Sequence, residues 1–214
     1  MVLTRDGRSL VHTDPDRCTS AAFEQDDNGP EVRITYVARS DAGECDQDRA
    51  HALPFSTGTS TRVGLVDGLA GRPVIDTTTG RRVPVIAEAD IPALRAAPPG
   101  WSVDTSPYHV ASAVSDFGGP DTLTAADWYP VSVDHLSGFL LVLVTTGRWN
   151  PPAGTAITPV RVRGGTGRAA AGIVVWASGQ RTYAVRWDPR HDRSFPDTAT
   201  LVAVADSLVS GAGP

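Results

Sequence analysis

The sequence predicts a mainly β chain: a β-rich N-terminal domain, then an α+β part whose antiparallel sheet carries a packed C-terminal helix. Three observations point there. Short apolar runs alternate with period two along much of the 214 residues, the mark of half-buried strands. No helical period occurs before residue 88. One run near the end of the chain, Leu201, Val204, Ala205, Leu208 and Val209, does repeat at helical spacing. Strands followed by a single amphipathic helix predict a sheet covered on one face.

The elements follow in chain order. Residues 1 to 30 are polar, with turn clusters at Asp14-Pro15-Asp16 and Asp26-Asp27-Asn28-Gly29-Pro30. Val32, Ile34 and Tyr36 alternate with Arg33, Thr35 and Val37, which predicts a strand. Val63 and Leu65 mark another within Thr61 to Val66. Pro73-Val74-Ile75 and Val83-Pro84-Val85 flank Asp76-Thr77-Thr78-Thr79-Gly80, which predicts a hairpin with Gly80 at positive φ. Together these make a domain of residues 1–88. The Pro- and Ala-rich residues 89–100 read as a linker, and residues 101–214 as the second domain.

In that domain, Tyr108 to Phe117 has mixed periodicity, strand or helix. Phe139 to Val144 is an unbroken apolar run suited to a central strand. Val160 and Val162 alternate with Arg161 and Arg163, and Gly164-Gly165-Thr166-Gly167 is a turn. Ile173 to Trp176, the turn Ser178-Gly179, and Tyr183, Val185 and Trp187 predict a hairpin. Asp197 can cap the final helix and Gly211 can end it.

The net charge of −5 disfavours nucleic acid as a partner. That charge is uneven. Arg148 to Arg193 holds 8 Arg against 2 Asp, whereas residues 102 to 147 hold five Asp and no Arg. The second domain therefore carries a basic stretch after an acidic one. No apolar run approaches the ~18 residues of a membrane span.

Two blocks carry a resemblance. Val63 to Asp76, followed by Thr79-Gly80, resembles a strand-and-turn pattern recurring in actinobacterial secreted or membrane-anchored proteins. Gly68 stands where that pattern has proline, and Ala70 precedes Gly71. Trp176, Tyr183 and Ala205-Asp206-Ser207-Leu208 are similar to the hairpin and helix of C-terminal modules in such proteins. The resemblance implies an extracytoplasmic domain, secreted or held by a membrane anchor outside this sequence. It implies no catalytic residue. In an oxidising compartment Cys18 and Cys45 are expected to form a disulfide, the alternative being two buried thiols.

Other constellations could carry chemistry. Asp134, His135 and Ser137 bring a carboxylate, an imidazole and a hydroxyl together, but no nucleophile elbow accompanies them. The bland alternative is a polar loop before the Phe139 strand. Asp188-Pro189-Arg190-His191-Asp192 could meet a metal, were its arginines not there to repel one. Gly164 to Arg168 lacks the Lys-Ser/Thr of a phosphate loop. His12, His51 and His109 stand apart from any such grouping. The five tryptophans, Trp101, Trp128, Trp149, Trp176 and Trp187, read as packing residues rather than a sugar groove.

The expected function is a non-enzymatic extracytoplasmic interaction or structural domain, without cofactor or metal, that binds a protein or an anionic envelope component. Alternatives are a cell-envelope hydrolase around Asp134, His135 and Ser137, and a small-ligand or lipid carrier. The expected binding face is a basic patch of Arg161, Arg163, Arg181 and Arg186, the first two lying opposite Val160 and Val162 on one strand.

Overall fold

A computed structural model of the chain describes residues 1–13, 19–40, 60–94, 96–103, 108–111, 117–118, 123–133, 136–189 and 194–209. The chain divides into two units, Met1–Glu88 with Val110–Ser112, and Ala89–His109 with Ala113–Pro214. It is mostly strand, with one C-terminal helix packed on an antiparallel sheet, as the periodicities predict.

The first unit holds β1 (Val2–Leu3), β2 (Ser9–Thr13), β3 (Thr19–Asp26), β4 (Val32–Ser40), β5 (Ser60–Gly64), β6 (Val74–Asp76), β7 (Arg82–Val83) and β8 (Ile86–Ala87). They form two four-stranded sheets, β5-β2-β1-β8 and β3-β4-β6-β7. β1 runs parallel to β8 and β4 parallel to β6. The predicted hairpin is β6 with β7, Val74 opposite Val83, and Gly80 has φ +67°. The alternating positions Val32, Ile34, Val63, Leu65 and Val74 meet Leu10 and Leu69 in one buried core.

The loop after β5 is held by an arginine. The Arg72 guanidinium donates to the carbonyls of Asp27, Gly29 and Gly68, and its Nε to that of Leu69. Buried Asp27 returns a bond, its Oδ2 accepting from the Val66 N–H at 2.7 Å. Residues 66–72 are thus sewn to the β3–β4 turn by charge-assisted bonds.

The remaining elements are β9 (Ser102–Val103), β10 (Tyr108–Ala111), which the division between units crosses, β11 (Phe117–Gly118), β12 (Thr124–Val133), β13 (Leu136–Thr145), β14 (Arg148–Trp149), β15 (Thr158–Val162), β16 (Gly165–Ala170), β17 (Ile173–Ser178), β18 (Arg181–Pro189) and the helix α1 (Thr198–Ser207). The large sheet runs β10-β12-β13-β18-β17-β16-β15, with β9 also paired to β12. β11 and β14 make a separate ribbon. Asp197 caps α1, its Oδ1 accepting from the Thr200 N–H at 2.7 Å. The helix ends at Ser207, with Leu208 extended; Gly211 lies outside the described residues.

Register sorts the sheet into two faces, because residues directly opposite share a side and neighbours along a strand alternate. Val142, Val185, Val174 and Ala169 form one cross-strand row. α1 lies on β15, β17 and β18 and buries Leu201, Val204 and Ala205. Val142, Val174, Val185, Leu201, Val204 and Ala205 all have 0% exposure, so no water-sized void touches them. Such packing leaves no cavity against these residues for the lipid-carrier alternative.

Two local features differ from the sequence pattern. The first part of the Pro- and Ala-rich segment, Ile91 to Leu94, is packed. Ile91 and Leu94 are buried, Ala93 bridges Val209, and the Leu94 N–H donates to the buried Tyr129 hydroxyl at 3.3 Å. Arg163 is not on a strand face. It sits with Gly164 in the two-residue turn between β15 and β16, at φ +51° and +74°. Positive φ at both positions is the geometry of a type I′ turn, which normally takes Asn-Gly.

Candidate functional site

The other face of the large sheet builds the site. Ala126, Leu143, Ala184, Val175 and Arg168 stand opposite one another in turn across five strands. The first four of these are buried, packed with Trp149 and Phe117 of the β11–β14 ribbon. Arg168 is the next residue of the row. Its guanidinium therefore reaches Trp149, lying 5.2 Å from the ring centroid with Nη2 donating to the Trp149 carbonyl at 3.4 Å. Such a stacked cation is fixed without losing its charge.

Beside this stack the ribbon and the sheet enclose a groove of about 790 Å³. Arg148, Trp149 and Asn150 line it from the ribbon, Thr166 and Arg168 from β16, and Val175 to Ala177 from β17. Gly179, Gln180, Arg181 and Thr182 close one side. Gly179 and Gln180 form the two-residue turn between β17 and β18, and Gly179 supplies the positive φ (+59°) that such a turn needs at its first position. Trp176 is nearly buried, stacked on Tyr183 with centroids 5.8 Å apart.

The electrostatics are one-sided. Three arginines line the groove and, among the described residues, no carboxylate does. Arg148 is exposed and has no partner among the described residues. Arg181 reaches outward to Asp90, Nη2 donating to Oδ2 at 3.2 Å. Its Nη1 is buried with no partner, the sole such side-chain atom among the described residues. An unpaired buried donor costs roughly 1–3 kcal/mol.

The expected residues Arg161, Arg163, Arg181 and Arg186 do not all meet in the groove. Only Arg181 of the four lines the groove. Arg163 is turned to the end of α1, its backbone N–H bound to Asp206 Oδ1 and its Nη1 donating to the carbonyls of Ala205 and Leu208. It serves the helix C-terminus, where a cation is favoured. Arg161 is exposed on the edge strand opposite Thr166. Arg186 stands opposite Ile173, farther along the sheet. Arg148 and Arg168 were missed. The excess of arginine over Arg148–Arg193 was the signal that could have found them.

Asp134, His135, Cys18 and Cys45 lie outside the described residues. Ser137 is paired opposite Ser132 within the β12–β13 ladder. Asp188 is half-buried. Burial raises its carboxyl above the usual range while Arg186 pulls the other way. Among the described residues, no three His, Cys, Asp or Glu cluster as metal ligands. No described helix is long and apolar enough to cross a membrane. The chain matches no protein-family model, no curated protein and no solved structure.

Proposed function

We propose that the second unit is a non-enzymatic binding domain that takes an anionic partner, a protein or an envelope component, in the Arg148–Arg168–Arg181 groove. The observation that carries this reading is the lining itself, three guanidinium groups with no carboxylate among the described residues there. Guanidinium presents paired N–H donors to carboxylate or phosphate and keeps its charge at any physiological pH. Three in one concavity concentrate positive potential. The chain as a whole is acidic, so that potential belongs to the groove and not to the general surface. The extracytoplasmic setting rests on the resemblance alone.

Titration with small polyanions tests the reading. Wild-type protein should bind hexaglutamate, tripolyphosphate or both at low salt, and affinity should fall as salt rises. Arg148→Gln should weaken that binding more than Arg161→Ser, whose side chain stands outside the lining. Salt-independent binding, or none, would remove the proposal.

A further inference from the structure

Resting on that reading, we infer that the groove's occupant is an extended acidic peptide segment of a protein partner, one carboxylate of which replaces Asp90 on Arg181. Three observations lead there. First, Arg181 already holds a carboxylate, that of Asp90, at 3.2 Å. The pair is incomplete: Asp90 takes Nη2, while Nη1 stays buried and unpartnered. With Asp90 released, the guanidinium can turn toward the groove it lines and present both terminal nitrogens to one carboxylate, the stronger bidentate pair. Second, Asp90 is itself 42% exposed, so its release to water is easy.

Third, the rest of the lining favours peptide over phosphate polymer. Thr166, Asn150 and Gln180 each offer acceptors as well as donors. An extended peptide presents N–H and C=O groups alternately and can use both kinds. A polyphosphate presents acceptors only, which leaves the amide and hydroxyl oxygens of the groove without use. The net charge of −5 repels acidic peptides in general, so such a segment would be held by the groove and not by the surface at large.

The experiment is fluorescence anisotropy with labelled hexaglutamate at low salt, with hexaglutamine and tripolyphosphate as competitors. Wild type, Asp90→Asn, Arg181→Gln and Arg148→Gln are compared, each checked for a wild-type melt. Asp90→Asn should tighten binding about three- to tenfold, because an internal competitor is gone. Arg181→Gln should weaken it by about tenfold or more, as loss of a desolvated charge partner does. Should Arg181→Gln fail to fold, exposed Arg148→Gln carries the same comparison. Hexaglutamine should not compete.

Tripolyphosphate binding far more tightly than hexaglutamate, with the same arginine dependence, would overturn the peptide inference and leave the anionic groove standing. Unchanged or weaker binding by Asp90→Asn would overturn the exchange at Arg181. Failure of every polyanion to bind would overturn the groove reading along with this one.

Discussion

Arg72 and Arg163 stand in one kind of surroundings, and Arg148 and Arg181 in another. Arg72 donates to four backbone carbonyls around one loop, and Arg163 to two at the end of α1. Both tie together segments far apart in sequence that would otherwise expose unpaired carbonyls. Arg148 has no partner among the described residues, and Arg181 has one of its terminal nitrogens unmet. The side chain is the same. What differs is whether the fold itself supplies the acceptors. Where it does, the arginine is a structural tie; where it does not, as at exposed Arg148, the arginine is open to an external anion, and at Arg181 that opening requires Asp90 to let go.

Substitutions can break or sharpen that contrast. The scale is set by Leu201, wholly buried under α1: Leu201→Ala should cost about 2–5 kcal/mol in urea melts. Arg72→Ala should come next, at roughly 1–3 kcal/mol, because it orphans partly buried carbonyls. Arg72→Lys should recover little, since an ammonium cannot span the same acceptors. A full rescue by lysine would mean that charge alone matters at this loop.

Arg163 sharpens the contrast further because two effects oppose there. Its positive φ is strained for a side chain, while its bonds to α1 hold it in place. Arg163→Gly loses the bonds but relieves the strain; Arg163→Ala loses the bonds and keeps the strain. The alanine variant should therefore be the less stable by about 1 kcal/mol. Equal stabilities would show that the turn does not feel its φ.

The smallest effect concerns pH. Burial raises the Asp188 carboxyl, so the folded chain holds that proton to higher pH than the unfolded chain. The contribution favours folding below the unfolded-chain pKa and is lost as pH rises through the raised value. Asp188→Asn removes the dependence. Its stability relative to wild type should rise as pH climbs from the ordinary aspartate range through the raised value, and level off above it. A difference that stays flat across that interval would contradict the assignment.

The strands and the helix were legible because their signals are local. Val32, Ile34, Val74 and Val83 declare their faces by alternation, and Asp197 caps the helix it precedes by one residue. Arg163 was misread for the opposite reason. Its alternation with Val162 continues the strand pattern, and only bonds to Ala205 and Leu208, more than forty residues away, hold it in a turn. Residues 89–94 look like a linker by composition, yet Ile91 and Leu94 are buried in the second unit. The groove was the least legible part. Arg148 reaches it through the two-residue strand β14, whose place depends on Trp149 packing beneath the sheet. No local period announces such a contact.

The central claim is that Arg72 is a structural tie and Arg148 a binding residue. One paired measurement tests it: the thermal melt and the hexaglutamate affinity of Arg72→Gln and Arg148→Gln beside wild type. Arg148→Gln should melt within about 0.5 kcal/mol of wild type, as exposed substitutions do, and bind weakly. Arg72→Gln should be destabilised yet, at temperatures where it is folded, bind as wild type does. The contrary result is an Arg148→Gln protein that melts early and binds normally, or an Arg72→Gln protein that melts normally and binds weakly.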